Sequence, residues 1–385
     1  MDKGVYMNKN EQVTYRILED YRAGKISRKE ASLILGVSEK TIQRKTKKIR
    51  TQGMAGVKHG NLGNSPVNKH PDSLKQEILR LVRERYYDFN LFHAREMIIE
   101  NHGLEVSYGT FYSWCITAGV GRVRKRRRPS RARIHRERMA NEGLMLQMDG
   151  SYHKWNHKDE WCLVACIDDA TSEIPYAQFF KSETTVACMK VLKSIIQRKG
   201  IPEIIYTDYA GWSGNGKRRH FSQFKRACEE LGIRVISTYS AESKGRIERA
   251  WRTFQDRLIP ELRLHEISSM KGANQYLHQS FLPTYWQRRN TVAARSDTTR
   301  YRELPEHINL DHIFCLKHTK KIYSDNTIMH NGNRYKVTNR KYGSLKNQEA
   351  TLCETENEGL KLFWGHIELK IEKIIKPQRK WKHSA

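Results

Sequence analysis

Three acidic residues lie far apart in the chain, yet each falls where a strand is expected to end or a helix to begin. Asp149 and Asp208 each follow a short apolar run, and Glu248 lies a few residues into a helix expected after a turn at Gly245. Carboxylates gathered in this way suit hard cations such as Mg²⁺, which keep several waters for a substrate phosphate. The sequence therefore predicts one metal site built from these three side chains.

Other charged residues flank Glu248. Glu242 is a second candidate for the third ligand, but it precedes the Gly245 turn and is expected on a mobile loop, so Glu248 is preferred. Lys244 and Arg252 lie four residues before and after Glu248, on the same helical face. They are predicted to hold DNA phosphates next to the metals, although simple compensation of the carboxylate charge explains them nearly as well.

The elements that must position these acids begin with three strands, predicted as an antiparallel meander at 144–151, 161–171 and 176–180. A helix over 184–199, a strand ending at Asp208, a helix over 221–231, a further strand and the helix of Glu248 follow. Asp168 and Asp169 end the second strand, away from Asp149, and are predicted to serve in a turn or a cap. Strands first, then alternating helices and strands, is the order of an RNase H-like fold.

The N-terminal segment shows the pattern of a helix-turn-helix. Ser27 and Glu30 form a capping box, Gly36 breaks the chain, and Ser38 caps a third, basic helix. The side chains of this helix expected to face a DNA major groove are Lys40, Gln43, Arg44, Lys47 and Lys48. The alternative is a solvated basic helix in an all-helical domain.

A second helical unit is predicted over 72–121, with a last helix capped by Ser107. It resembles a second helix-turn-helix, and its aromatic residues are either core or platforms for bases. The segment that follows is too rich in like charge to pack, and it is predicted to clamp phosphates through Arg126, Arg127 and Arg128 or to serve only as a solvated connector. Beyond residue 300 short strands and an Asn331-Gly332 hairpin signal predict a small β-barrel.

These patterns predict a multidomain protein of two all-α DNA-binding domains, an α/β RNase H-like core and a C-terminal small β-barrel. Its predicted parts are a helix-turn-helix domain (1–56), a second helical domain (72–121), a basic linker (122–140), a catalytic core with a helical extension (141–300) and the barrel (301–385).

Charge and composition indicate the class of partner. The chain carries 70 Lys and Arg against 42 Asp and Glu, a formal charge of +28, and residues 1–140 alone hold 30 basic against 14 acidic side chains. A polyanionic partner, most simply nucleic acid, is expected, with binding that weakens as salt rises. We expect no membrane span and a cytoplasmic location, and the seven scattered cysteines predict neither a disulfide scaffold nor a zinc module.

At these residues the chain resembles the retroviral integrase superfamily, and within it the bacterial insertion-sequence transposases of the DDE type. The segments that carry the resemblance are Met-Asp149-Gly-Ser, Thr-Asp208 and the stretch from Tyr239 to Glu248, with 39 residues between the second and third acids. The similarity covers about residues 140–260. Tyr209 stands where integrases often have Asn, and no N-terminal His and Cys zinc domain is visible, which favours the transposase branch.

The resemblance implies a DNA transposase. It implies two Mg²⁺ ions, with Mn²⁺ as a substitute, held by Asp149 as the bridging ligand and by Asp208 and Glu248 on either side. It also implies double-stranded DNA partners, both transposon ends and target DNA, and action as a homo-oligomer on DNA near the bacterial nucleoid. Two alternatives remain: an RNase H-like nuclease without strand transfer, and a DNA-binding regulator with a dead core.

Overall fold

The computed structural model describes residues 6–61, 69–121, 136–208, 223–238, 245–338, 343–355 and 357–374. Contacts divide the chain into two compact units, Met1–Gln76 and Glu77–Ala385. Within the described ranges, the helices include none whose length and apolarity would let it span a bilayer.

The first unit contains three helices, α1 (Lys9–Arg22), α2 (Arg28–Leu35) and α3 (Glu39–Gln52), followed by a 3₁₀ turn at Gly53–Val57. The predicted caps are confirmed: Ser27 and Glu30 bond each other's backbone reciprocally, Gly36 ends α2 with φ of +61°, and Ser38 accepts from the first turn of α3. Leu18, Ala31, Ile42, Ile49 and Val57 form the core. The third helix thus has one buried apolar face, as expected.

A helical group opens the second unit. It consists of α5 (Leu91–His102) and α6 (Tyr108–Thr117), preceded by α4 (Asp72–Glu84), and Ser107 caps α6 as predicted. Of the aromatic residues in α6, Phe111 is fully buried, whereas Tyr108 and Tyr112 are about two-fifths exposed. Phe111 therefore belongs to the core, whereas stacking of Tyr108 and Tyr112 on bases stays a prediction.

Five strands form the sheet that positions the acids: β1 (Met145–His153), β2 (Trp161–Asp168), β3 (Tyr176–Phe180), β4 (Ile204–Asp208) and β5 (Arg234–Thr238). Their order is β3-β2-β1-β4-β5. The first three strands pair antiparallel, which confirms the meander, while β4 lies parallel to both β1 and β5. Asp208 ends β4 as expected, whereas Asp149 lies in the middle of β1, which continues to His153; the two acids can meet only where these strands lie side by side.

Helices cover both faces of this sheet. On one face α7 (Thr185–Lys199) and α8 (Gln223–Glu230) share an apolar core with Leu146, Met148, Cys162 and Cys166. The other face packs against α9 (Gly245–Leu264), α10 (Met270–Tyr276) and a π-helical stretch at Leu277–Trp286, which short helix α11 (Gln287–Asn290) continues. All seven cysteines are buried and free, as expected for small apolar side chains.

After the short helix α12 (Leu310–Ile313), six antiparallel strands form the second sheet: β6 (Leu316–Lys321), β7 (Thr327–His330), β8 (Asn333–Thr338), β9 (Glu349–Thr355), β10 (Gly359–Trp364) and β11 (Ile367–Lys373). Their order is β6-β9-β10-β11-β8-β7, and the edge strands β6 and β7 contact each other, so the sheet is nearly closed. Asn331 and Gly332 both have positive φ in the two-residue β7–β8 turn, which confirms the hairpin signal.

Candidate active site

The first two candidate acids are brought together by the pairing of two parallel strands. β1 and β4 are in register from Met145 opposite Ile204 to Gln147 opposite Tyr206. Asp149 and Asp208 each lie two residues further along their own strand. The same register, if continued, would place these two positions side by side. Of Asp208 the backbone alone is described, and its position is also fixed from the other side by pairing with β5.

Three hydrogen bonds join α9 to one face of β1. They run from the Ile247 backbone N–H to Gln147 Oε1 (3.4 Å), from Trp251 Nε1 to Asp149 Oδ2 (2.9 Å) and from Gln255 Nε2 to Ser151 Oγ (3.2 Å). Successive hydrogen bonds are four residues apart on the helix, a rise of about 6 Å, and two residues apart on the strand, a rise of about 6.6 Å. The helix therefore runs along the strand with its spacing matched to every second side chain.

Glu248 lies on the first turn of α9 and is exposed. It precedes Trp251 by three residues, and residues three apart are neighbours on a helix surface. Because the Trp251 indole donates to Asp149, the backbone of α9 holds Glu248 within one turn of a residue that contacts that carboxylate. The strand register and the helix placement thus bring the three predicted positions to the same region of the sheet, beside the end of β4.

A buried carboxylate holds the start of α9. Asp169 is fully buried and forms ion pairs with Arg136 and with Arg246, the second residue of α9 (Nε to Oδ1, 3.2 Å). The same side chain accepts from Gln147 Nε2 at 2.8 Å and from the Met139 backbone N–H at 2.9 Å. We call Asp169, Arg136, Arg246 and Gln147 the anchoring network, since it ties the first turn of α9 to β1.

The two neighbouring aspartates therefore differ in role. Asp168 accepts from the backbone N–H groups of Gly143, Ala170 and Thr171, which is the turn and cap role predicted for it. The prediction was incomplete for Asp169, which lies beside Gln147, two residues from Asp149, and supports the site. Burial lowers the pKa of Arg246, as do the nearby Arg138, Arg136 and Arg249, whereas Asp169 acts to raise it.

Sequence reasoning missed Trp251, Gln147, Asp169 and Arg246 as parts of this site. One signal was available in the sequence, namely Arg246 in the first turn of α9. A positive charge there interacts unfavourably with the helix dipole, so an acidic partner is expected. The thiol of Cys162 is not a competing nucleophile, since burial, with the nearby charges of Glu183 and Asp149, raises its pKa to about 12.

The predicted DNA-contact residues fall into two groups. Exposed side chains line the polar face of α3, at Lys40, Gln43, Arg44, Lys47 and Lys48, and Arg252 on α9 is exposed as well. The other predicted contacts, Arg126, Arg127, Arg128 and Lys244, lie outside the described residues, as do Tyr209 and the alternative metal ligand Glu242. The exposed face of α3 is thus opposite to the face that carries the buried Ile42 and Ile49.

No protein-family model matches the chain. It is 32% identical over 306 residues to "Putative transposase y4bF" of Sinorhizobium fredii, an alignment that covers 76% of this chain and 65% of that protein. It is 29% identical over 315 residues to the "Transposase for insertion sequence IS1202" of Streptococcus pneumoniae, covering 72% of this chain and 68% of the other. The chain thus spans slightly less than two thirds of the first relative.

Solved structures similar to the chain include the simian T-cell lymphotropic virus intasome in complex with PP2A regulatory subunit B56 gamma (16% identity, TM-score 0.34, covering 74% of this chain and 96% of that one). Another is the HTLV-2 integrase catalytic core domain in complex with magnesium (18% identity, TM-score 0.29, covering 35% and 82%). The strand order and register given above define the fold of this core. The names of both sequence relatives agree with the resemblance drawn from the three acidic segments.

Proposed function

We propose that this chain, a sequence relative of insertion-sequence transposases, is a DNA transposase that cuts the ends of its own element and joins them to target DNA. One observation supports the proposal: the β1–β4 register, if continued by two residues beyond Gln147 and Tyr206, would bring Asp149 beside Asp208, and Trp251 on the helix of Glu248 donates to Asp149. The five-stranded order, three antiparallel strands followed by two parallel ones, supports an RNase H-like core.

The donor set fits divalent metal ions that prefer oxygen. Asp149, Asp208 and Glu248 offer carboxylates from two strands and a helix, the ligand type that Mg²⁺ takes in phosphate-transfer sites. Asp149 would bridge two ions, while Asp208 and Glu248 would each hold one, and Mn²⁺ would substitute. When bound, such a pair activates the attacking oxygen and stabilises the leaving oxygen of a phosphodiester.

Trp251 and the anchoring network would act by holding the acidic residues in place. The Trp251 indole orients Asp149 through Oδ2, so that this carboxylate is preset before any ion arrives. The anchoring network keeps the first turn of α9 against β1, which holds Glu248 at the same edge. Water would attack when an end is nicked, and the freed 3′-hydroxyl would attack when the end is joined, with no covalent protein intermediate.

DNA would be held by two basic regions. The exposed face of α3 would enter a major groove at the terminal repeats, and the linker 122–140 would clamp phosphates. The last residues of that linker are fixed, because Arg136 pairs with Asp169 and Arg138 Nη1 donates to Ser172 Oγ at 2.8 Å. Since Asp169 also holds the start of α9, DNA gripped by the linker would arrive beside Glu248.

The protein would act as a homo-oligomer, because two element ends must be cut and joined together. Its site of action would be the bacterial cytoplasm, in association with the nucleoid. Inverted repeats bracketed by short direct duplications in the DNA that flanks the reading frame would support this assignment.

Strand-transfer assays on the element's own ends test the proposal. The Asp149→Asn variant should bind terminal-repeat DNA as the native chain does while losing both nicking and joining. Asp297→Asn is the matched control, since it makes the same change at an exposed carboxylate outside the site and should retain activity.

Two outcomes would favour the alternatives. Nicking without joining of pre-nicked ends would indicate an RNase H-like nuclease. Full biological activity in Asp149→Asn would indicate a DNA-binding regulator whose core is inactive.

A further inference from the structure

The six-stranded sheet has a seam where its two edge strands meet. β6 and β7 are the outer strands of the sheet and contact each other, yet in the described part of the chain they form no ladder of paired residues. They are tied near their connection, where the Tyr323 backbone N–H donates to Thr327 O. Away from that connection the backbone supplies no hydrogen bond across the seam among the described residues.

Three side chains with metal-binding atoms converge at this open end. His318 comes from β6, His330 from the last position of β7, and Glu354 from β9, which neighbours β6. Glu354 Oε2 lies 3.8 Å from His318 Nε2 and 3.7 Å from His330 Nε2. One ligand atom from each residue can be chosen such that all three lie within 4.8 Å of one another.

These distances suit a shared ion better than direct hydrogen bonds. Both His-to-Glu separations exceed the usual hydrogen-bond length. Around a tetrahedral zinc with bonds of about 2.0 to 2.1 Å, neighbouring ligand atoms lie about 3.4 Å apart. The two His-to-Glu separations would have to shorten by a few tenths of an ångström, and the third separation lies within 4.8 Å. A small closure of the seam would complete the site.

The burial of the histidines supports the same conclusion. His318 Nε2 is buried and lacks a hydrogen-bond partner among the described residues, which is costly unless something else satisfies it. The His330 side chain is only 4% exposed. Asn331 Nδ2 lies 3.1 Å from His330 Nε2, and its position on the exposed turn lets this amide rotate away from an incoming ion.

We propose that His318, His330 and Glu354 form a site for a first-row transition cation, best fitted by Zn²⁺, that fastens the seam of the six-stranded sheet. Two imidazole nitrogens and one carboxylate oxygen are a common donor set for zinc, with water in the fourth position, whereas Mg²⁺ prefers oxygen alone. Partial exposure of His318 and Glu354 gives the ion a way in. The site is separate in residues and in sheet from the three acids, and it does not depend on the proposed activity.

Metal titration of the full-length chain tests this site. The protein is stripped with a chelator, loaded with Co²⁺ to read the visible absorption of tetrahedral coordination, and then titrated with Zn²⁺ to displace it. All measurements use the Asp149→Asn background, so that the acidic site contributes little. One strongly bound Zn²⁺ per chain is expected, together with a rise in the unfolding temperature.

The partly exposed ligands give the informative variants. His318→Gln and Glu354→Gln should each weaken Zn²⁺ binding at least about tenfold, since even the loss of an outer-shell partner costs that much. His366→Gln is the matched control, an exposed histidine on the β10–β11 turn that should leave binding unchanged. The proposal fails if His318→Gln binds Zn²⁺ as tightly as the control, or if Co²⁺ gives no tetrahedral spectrum in the parent protein.

Discussion

The two sheets of the second unit differ in how they would position their proposed metal ligands. In the five-stranded sheet the proposed ligands come from β1, β4 and α9, elements held by parallel strand pairing and by the anchoring network around Asp169. In the six-stranded sheet His318, His330 and Glu354 face one another across a seam that the backbone leaves open. In the five-stranded sheet the backbone pairing would position the three acids. In the six-stranded sheet an ion bound by the two histidines and the glutamate would hold the two edge strands together.

The largest expected effect on this difference between the two sheets comes from removing the buried carboxylate of Asp169. Asp169→Ala leaves Arg246 and Arg136 without their shared partner, and breaking a buried ion pair from one side costs about 3 to 5 kcal/mol. We expect the free energy of unfolding in urea to fall by about that amount, with loss of strand transfer. Asp297→Ala, an exposed carboxylate, should change neither. Native stability in Asp169→Ala would show that α9 is held by packing alone.

Metal removal separates the two sheets. Stripping the protein with a chelator should lower the unfolding temperature, and Zn²⁺ at about one hundred times its dissociation constant should restore about 2.7 kcal/mol of stability. Mg²⁺ should restore DNA cutting without restoring that stability, because it binds poorly to imidazole. The measurements are differential scanning calorimetry and the nicking assay on one preparation. If Mg²⁺ alone recovers both properties, the division of roles between the sheets is wrong.

The indole that contacts Asp149 provides a smaller and more local test. Trp251→Phe retains most of the buried ring but removes the N–H that donates to Oδ2. A hydrogen bond to a charged group contributes about 1.5 to 3 kcal/mol, so the rate of nicking should fall roughly tenfold to a hundredfold. Binding of terminal-repeat DNA, measured by fluorescence anisotropy, should stay unchanged. A matched fall in DNA affinity would instead assign Trp251 to the DNA surface.

Local signals were sufficient for much of the fold. The Ser27 and Glu30 capping box and the Asn331-Gly332 turn each depend on residues close in sequence, and each is confirmed. The edge strand β6 was not predicted, because its sequence LKHTKK is mostly polar and lacks the apolar alternation that marks a strand. Without that strand, His318 had no predicted neighbours and the seam could not be foreseen.

The candidate site shows the same limit. Asp149 and Asp208 were predicted because each follows an apolar run, which is a local feature of the sequence, although only Asp208 ends its strand. The role of Asp169 depends on Arg136, Gln147 and Arg246, which lie between 22 and 77 residues away in the chain. No single-sequence pattern links them, because the contacts form only when α9 lies on β1. The three acids therefore stay a prediction from the sequence, whereas the network that ties α9 to β1 could not be predicted from it.

The prediction with the smallest expected effect concerns whether every contact between α9 and β1 is equally important for activity. Gln255 donates to Ser151 at 3.2 Å, about two turns beyond Glu248, and its loss should cost about 1 kcal/mol of stability. Because the anchoring network at Arg246 and the indole of Trp251 remain, Gln255→Ala should nick DNA at close to the native rate. Paired urea titrations and nicking assays measure the two quantities on one sample. A large loss of activity at this modest cost in stability would mean that the whole helix, and not its first turns, sets the position of Glu248.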